Sequence, residues 1–306
     1  MSDKQGLSLV IVNWNTPNET INCVQSFVNS AKNYKLNFEV IVVDNRSSDS
    51  SLSTFASVPD VITVCALKND GYGSALNLGA SAAHYDTLIL SNSDILFPDS
   101  FCQLVENFIN EKSADCLGVK LCGLDGKAQK STFIEPTIKS LAVEYFNPFL
   151  KKSQDPTQPT IVQCIVGALI IVKSSVYRAV DGFDPYFFLF SEEVDFCRRV
   201  RSAGYKIWYT SDIQVIHIGG QSTKGASRFS HAELHRSRIK YFYKFYTMKE
   251  ARIFWFVTVI SFIFDGLKSI IKLILGKETL QGIKSRVLAY IDVIAYAKVL
   301  FSHSKL

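Results

Sequence analysis

Four short apolar runs punctuate the first 97 residues, and each leads into an Asn or Asp at its end or within a few residues of it. They are 7–13 (LSLVIVN), 38–44 (FEVIVVD), 61–66, and 87–90, which is followed by Ser91-Asn92-Ser93-Asp94. Runs this short and this rich in Val and Ile read as buried strands. Between them lie helical signals. Thr16-Pro17-Asn18-Glu19 offers an N-cap, a proline at the first helical position and a capping-box glutamate, predicting a helix to about residue 32. A short helix is expected over 47–55 and a small-residue helix over 71–84. Strands alternating with helices at this spacing predict an α/β fold with a mostly parallel, doubly wound sheet. Ligands of such sheets sit beyond the carboxyl ends of the strands, so Asn13, Asp44, Asn69 and Asp94 share one rim.

Downstream, the pattern predicts a helix over 100–111, a strand over 115–121 and a turn at Asp125-Gly126. Residues 145–160 hold three prolines and read as a mobile connection that could form a flap over the site. An apolar strand is expected over 161–172, interrupted by Gly167-Ala168, where a ligand or backbone would approach closely. Seven scattered cysteines without a CxxC pair fit reduced, buried thiols of a cytosolic protein. The first apolar run is too short for a signal peptide and lacks a cleavage site, so none is expected.

Three clusters carry candidate chemistry. Asp44 opens Asp44-Asn45-Arg46-Ser47-Ser48-Asp49. A strand-end carboxylate can accept a ring N–H of a nucleotide base, while a helix cap from Ser48 or Asp49 explains the rest of the stretch equally well. In Ser91-Asn92-Ser93-Asp94 one carboxylate could hold Mg²⁺ or Mn²⁺ if a second protein ligand joins it; a polar turn is the alternative. The third cluster, residues 187–199, follows an aromatic run with Glu192, Glu193 and Asp195. Acids favour a helix start, yet aromatic neighbours would raise the pKa of one, as a general base requires. Asp195 and Arg199 are spaced to pair on one helix face, leaving Glu192 or Glu193 for chemistry. His217 closes an apolar strand and is either structural or an imidazole ligand.

Taken in order, these pieces resemble the family 2 glycosyltransferases of GT-A fold, most closely their bacterial rhamnosyltransferase branch. The matching pieces are residues 10–15, residues 42–49, Asn69 to Gly73 with Asn77 and Gly79, Asn92-Ser93-Asp94, Gly167-Ala168, Gly182-Phe183-Asp184, residues 188–199, and His217 with Gly220 and Ser222. The resemblance covers about residues 7–246. It implies a nucleotide-sugar site with Asp44 on a pyrimidine base, Asn13 near the base or ribose, and Asn15, Asn69, Gly71, Asn77, Asn92 and Ser93 around the donor. Asp94 and His217 would hold Mg²⁺ or Mn²⁺ on the diphosphate. The family's second acid falls on Glu193, with Glu192 and Asp195 beside it, as the base of an inverting transfer. Gly167, Ala168, Asp184 and Phe188 would line the acceptor and sugar pocket. The chain departs twice from the family's common pattern, with Asn92 for the first acid of the metal motif and Glu193 for Asp. A nucleotide-binding half is expected over about 1–97 and an acceptor half over 98–235. The resemblance implies dTDP-rhamnose first and UDP-sugars second as donor, and a lipid-linked saccharide of cell-surface polysaccharide synthesis as acceptor.

Net charge is only +5, but eleven of the 33 Lys and Arg lie in residues 240–306 against four of the 28 Asp and Glu. No RNA-binding signature accompanies them, so a membrane surface is expected and nucleic acid is not. Residues 253–264 (IFWFVTVISFIF) would form a helix only ~18 Å long, short of the ~30 Å hydrocarbon core, and extending it to Leu275 adds Asp265, Lys268 and Lys272, whose cost roughly cancels the apolar gain. The extension 236–306 is therefore expected to lie in the plane of the inner face of the cell membrane, the alternative being a core or homodimer-interface helix pair. A nucleotidyltransferase or dehydrogenase would need a Gly-rich loop after the first strand, where Asn13-Trp14-Asn15-Thr16-Pro17 stands. The rival from another class is a non-catalytic glycan-binding or scaffold subunit.

Overall fold

The structure, a computed structural model, describes residues 4–56, 58–147, 154–219, 227–277 and 279–302. In chain order the elements are β1 (Lys4–Asn13), α1 (Pro17–Tyr34), β2 (Phe38–Asp44), α2 (Ser51–Phe55), β3 (Val61–Cys65), α3 (Tyr72–Ser81), β4 (Tyr85–Asn92), β5 (Ile95–Leu96), α4 (Phe101–Lys112), β6 (Cys116–Cys122), β7 (Thr132–Phe133), α5 (Ile138–Phe146), β8 (Thr160–Ile161), β9 (Cys164–Ile165), β10 (Leu169–Lys173), α6 (Ser174–Ala179), α7 (Glu192–Ser202), β11 (Ile207–His217), α8 (Ser227–Phe245), α9 (Met248–Ile274) and α10 (Leu280–Ser302). They form two compact units.

The first unit takes Met1–Glu135, Gln154–Phe188 and Glu192–Ser222. Its main sheet runs β3-β2-β1-β4-β10-β6-β11-β5, with β8 paired to β11. The pairs β1–β2, β1–β4, β2–β3 and β6–β11 are parallel, and β10 enters antiparallel between β4 and β6. The Val and Ile side chains of β1 and β2 are fully or almost fully buried, as expected for strands covered on both faces. One covering is α1, which buries Thr20, Cys23, Val24, Phe27, Ser30 and Ala31 at helical spacing. Phe27 stands edge-on to Phe38 and Phe97, with ring centroids 6.0 and 5.5 Å away. Removing such a buried ring costs ~3–5 kcal/mol. The other covering includes α3, where a Cβ on Gly79 would strike Val10 and come within 2.7 Å of Val43. Strand order reverses at β1, whose neighbours β2 and β4 run out on opposite sides, so a ligand crevice opens at their carboxyl ends.

Two expectations are corrected. The apolar run 161–172 is not one strand: β8 pairs with β11, β9 with β7, and β10 with β4 and β6. Hydrophobicity marks burial but not the pairing partner, and the chain changes partner at Val162-Gln163 and Val166-Gly167-Ala168. Helix α1 starts at Pro17 as predicted, but the hydroxyl of Thr16 makes no capping bond and turns instead to Asn13 and Ser93. All seven cysteines are free thiols.

The second unit takes Pro136–Ser153, Leu189–Ser191 and Thr223–Leu306. It thus begins earlier than residue 236 and also takes α5. Tyr246 donates to the Pro136 carbonyl, Arg238 to Glu144, and the rings of Phe146 and Phe264 meet at 5.3 Å. Helices α8, α9 and α10 pack on one another. Between α9 and α10, Phe262 stacks on Tyr290 at 3.9 Å and Asp265 accepts from Arg286 and Tyr290. The expected flap falls partly on 148–153, outside the described residues, as do Gly220 and Ser222.

Candidate active site

At the rim, Asn13 and Asp44 are register partners of adjacent parallel strands. Asn13 donates its two amide hydrogens to Asp44 Oδ1 and Ser47 Oγ, each at 2.9 Å. Its Oδ1 accepts from Thr16 N, Thr16 Oγ1 and Thr20 Oγ1. Asp44 Oδ2 accepts from Ser47 N at 3.1 Å, and the carboxylate is 2% exposed. Helix α2 starts later, at Ser51, whose N–H donates to Asp49 Oδ1 at 3.0 Å. Asn15, in a left-handed conformation at φ +56, accepts from Ser48 N. Its backbone N–H donates to Ser47 Oγ, so Ser47 ties both asparagines to Asp44.

The other asparagines differ in what they have left to offer. Asn69 Oδ1 accepts from Asn45 Nδ2 and Gly71 N, shaping the turn into α3. Asn77 donates to Phe183 O and accepts from Phe183 N and Tyr177 Oη, pinning the 182–183 turn. Both amides work inside the fold. Asn92 is half-buried, and its side chain makes no hydrogen bond among the described residues.

β5 pairs antiparallel with β11, matching Ile95 with His217. This short ladder brings Asp94 to the histidine. Ile218 N donates to Asp94 O at 3.0 Å and Gly219 N to Asp94 Oδ2 at 2.9 Å, leaving Oδ1 3.5 Å from His217 Nε2. The far nitrogen, His217 Nδ1, lies 2.8 Å from Gln129 Oε1, and Gln129 Nε2 donates to His217 O at 2.7 Å. Among the described residues no three His, Cys, Asp or Glu gather as a metal site. A carboxylate oxygen and an imidazole nitrogen on one face are nevertheless a donor pair that suits Mg²⁺ or Mn²⁺ shared with a diphosphate, so the residues fit the ion.

Glu192 and Glu193 open α7. Glu193 lies against Gly167, whose added Cβ would be 3.2 Å from Glu193 Cβ, and Glu192 approaches Gly73 in the same way at 3.6 Å. Asp195 is fully buried and held by Arg199 Nε and Nη2 at 2.7 Å, the helical pair expected from the spacing. Tyr72, at the start of α3, is a residue to which sequence reasoning gave no role. Its hydroxyl donates to Gly167 O at 3.2 Å and its N–H to Phe188 O at 2.9 Å. Burial first, then the charges of Glu192, Asp94 and Glu193, push its phenol well above the usual range, so it stays protonated among three carboxylates. Gly71 makes this possible: at φ +99 it is left-handed, and a Cβ there would land on the Phe188 carbonyl. Ala168 O accepts from Asn92 N at 2.9 Å, and Asp184 Oδ1 accepts from Tyr186 N at 2.9 Å, shaping the approach to Phe187-Phe188.

Ser47, Tyr72 and Gln129 were missed. Tyr72 was visible as the one large side chain in Gly71-Tyr72-Gly73; nothing local marks Gln129, which is 88 residues from its partner.

The rim thus carries the Asp44 carboxylate, the Asp94–His217 pair and, at the start of α7, Glu192 and Glu193. The model of the family described as Glycosyl transferase family 2 matches residues 8–180, more than half of the chain, and the chain belongs to that family. It is 27% identical over 219 residues to an N-acetylglucosaminyl-diphospho-decaprenol L-rhamnosyltransferase of Mycobacterium tuberculosis, covering 64% of this chain and 71% of that one. Its fold is similar to that of S. aureus TarS, with TM-score 0.51 and 16% identity over 80% of this chain; the chain spans 45% of TarS. It is also similar to GalNAc-T7, solved with UDP, GalNAc and Mn²⁺, with TM-score 0.53 and 15% identity, covering 76% of this chain and 47% of that one.

Proposed function

We propose that this glycosyltransferase moves a sugar, with rhamnose from dTDP-rhamnose the first candidate and a UDP-sugar the second, to a hydroxyl of a lipid-linked saccharide, inverting the anomeric centre. The observation that carries the reading is the facing of Asp94 and His217 in the same crevice as Glu192 and Glu193. Asp44 binds the pyrimidine base, with Asn13 and Ser47 holding its carboxylate, and Asn92 and Ser93 lie along the donor. Asp94 and His217 would hold a divalent ion, which when bound would supply positive charge for the departing diphosphate. Glu193, with Glu192 as the neighbouring candidate, takes the proton of the acceptor hydroxyl as its oxygen attacks the anomeric carbon and the bond to the diphosphate oxygen breaks. Gly167, Ala168 and Phe188 bound the sugar pocket. The name of the mycobacterial relative supports rhamnose as donor sugar and a lipid diphosphate saccharide as acceptor.

The helical unit supports a membrane surface as the workplace. Helix α9 is 27 residues, ~40 Å at 1.5 Å per residue, long and apolar enough to cross a bilayer. Its inward side mixes Ala251, Phe254 and Phe262 with Thr258, Ser261 and Ser269, while Ile253, Phe256, Ile263, Leu267, Ile270 and Ile274 leave a broad apolar face exposed. Its inner face packs on α8 and α10, which carry Glu233, Arg236, Lys240 and Asp292. Charged neighbours of that kind are costly in hydrocarbon, so an in-plane position with Lys268, Lys272 and Lys277 at lipid phosphates fits better than a span.

The test is release of nucleoside diphosphate over a panel of dTDP- and UDP-sugars with an N-acetylglucosaminyl-diphospho-lipid acceptor, with and without EDTA. Turnover with one donor, abolished by Asp94→Ala and Glu193→Gln, is expected. Absence of release with every donor would favour the scaffold reading, and unchanged turnover in both variants would overturn the site. Co-sedimentation with anionic vesicles, lost in Ile263→Glu/Leu267→Glu, is expected for the surface; a concentration-dependent dimer without vesicle binding would overturn it.

A further inference from the structure

We propose that Gln129 is a positioning residue that locks His217 in the tautomer whose Nε2 lone pair faces Asp94. The inference rests on the reading of His217 as a metal ligand and adds to it the group that makes the imidazole one.

Gln129 is itself firmly placed. The 123–129 turn folds back on the end of β6: Gly123 N donates to Lys127 O, and Gln129 N to Leu121 O at 2.8 Å. Because β6 and β11 are neighbours, with Cys122 opposite Ile216, the end of this turn arrives beside His217. The amide cannot be reversed there. Its Nε2 donates to the His217 carbonyl at 2.7 Å, and an oxygen in that place would face an oxygen. Oε1 is thereby directed at Nδ1, 2.8 Å away, and an amide oxygen only accepts, so Nδ1 carries the proton.

In a neutral ring the proton on Nδ1 leaves Nε2 as a bare lone pair. Nε2 points at Asp94 Oδ1, 3.5 Å away, while Oδ2 is occupied by the Gly219 N–H. Two acceptors held face to face repel unless something positive lies between them. The arrangement is thus preset for a cation, and the second contact, to the His217 carbonyl, fixes the ring's carrier strand as well as its tautomer. Outer hydrogen bonds of this kind typically matter 10–100-fold in metal affinity.

The experiment uses the full chain without donor. The His217 tautomer is read from side-chain ¹⁵N–¹H correlations of ¹⁵N-histidine protein where the ring is neutral, and Mn²⁺ affinity from the EPR signal of free Mn²⁺. Wild type is expected to show Nδ1–H; Gln129→Leu is expected to lose that bias and bind Mn²⁺ ~10–100-fold more weakly. Gln129→Glu keeps an acceptor for Nδ1–H but sets an oxygen against the His217 carbonyl, so it is expected to restore the Nδ1–H signal and recover part of the affinity lost in Gln129→Leu, a rescue that a purely structural role would not give. An Nε2–H tautomer in wild type, or unchanged affinity in Gln129→Leu, would overturn the proposal. If His217→Ala also binds Mn²⁺ like wild type, the underlying ligand reading falls with it; if His217→Ala binds weakly and Gln129→Leu normally, only the role of Gln129 falls.

Discussion

Asn13 and Asp44 meet in register across two parallel strands, and the 2.9 Å bond from Asn13 Nδ2 to Asp44 Oδ1 is one of five connections that exhaust the Asn13 amide. Asp44 keeps lone pairs for a ligand; Asn13 does not. Asn13→Ala should therefore lower stability by ~1–3 kcal/mol through unpaired buried groups. Asp44→Asn should fold, yet weaken nucleoside diphosphate binding ~10–100-fold, the worth of a hydrogen bond to a charged group. Chemical denaturation and calorimetric titration with dTDP and UDP separate the two.

The asparagines 92 and 77 should split in the opposite way. Asn92→Ala should raise the donor KM several-fold with an unchanged melting temperature. Asn77→Ala should cost ~1–3 kcal/mol, because Phe183 and Tyr177 lose their partner. Equal destabilisation by both changes would refute the distinction.

Among the acids of α7, removal of the base should lower kcat ~10²–10⁴-fold with little change in folding. That result is expected of Glu193→Gln. Asp195→Ala should instead destabilise by ~1–3 kcal/mol, since Arg199, partly exposed and still bound to the Val180 carbonyl, loses its carboxylate partner. Single-turnover rates and melting curves of the three variants, Glu192→Gln included, identify the base.

His235, on α8, sets a pH limit for the helical unit. Burial first, then Arg238 and His231, push its imidazole down to about 3 against the opposing pull of Asp265. The unfolded chain takes up this proton near pH 6.5 and the folded one does not, so stability is full above 6.5 and falls as the pH drops towards 3. The ring is only half-buried, so the loss at pH 5.5 should stay at or below ~1.4 kcal/mol. His235→Asn should flatten that slope in melts taken between pH 7.5 and 5.

The strands and their polar ends were legible because both signals are local: β-branched residues fill the pleat, and Asn13, Asp44 and Asn92 stop it. Pairing was not legible. Residues 161–172 are apolar but for Gln163, yet their three pieces join different neighbours, β10 taking two of them. Thr16 was read as a cap because the same hydroxyl chemistry serves a helix end and a site wall. The identity of the asparagines could be read, but whether each amide is already spent depends on residues such as Phe183, 106 positions away. Gln129 belongs to the same class: a tautomer is decided by a long-range contact.

The joining of β11 to β5 also sets an order of events. Asp94 leaves the ribosome more than a hundred residues before His217, and the two are brought together by a ladder of only two residue pairs. A nascent chain can complete the strands bearing Asn13, Asp44 and Asp94 and still have no donor pair for a cation. The Asp94–His217 pair therefore forms only when β11, the last strand among the described residues, docks on β5.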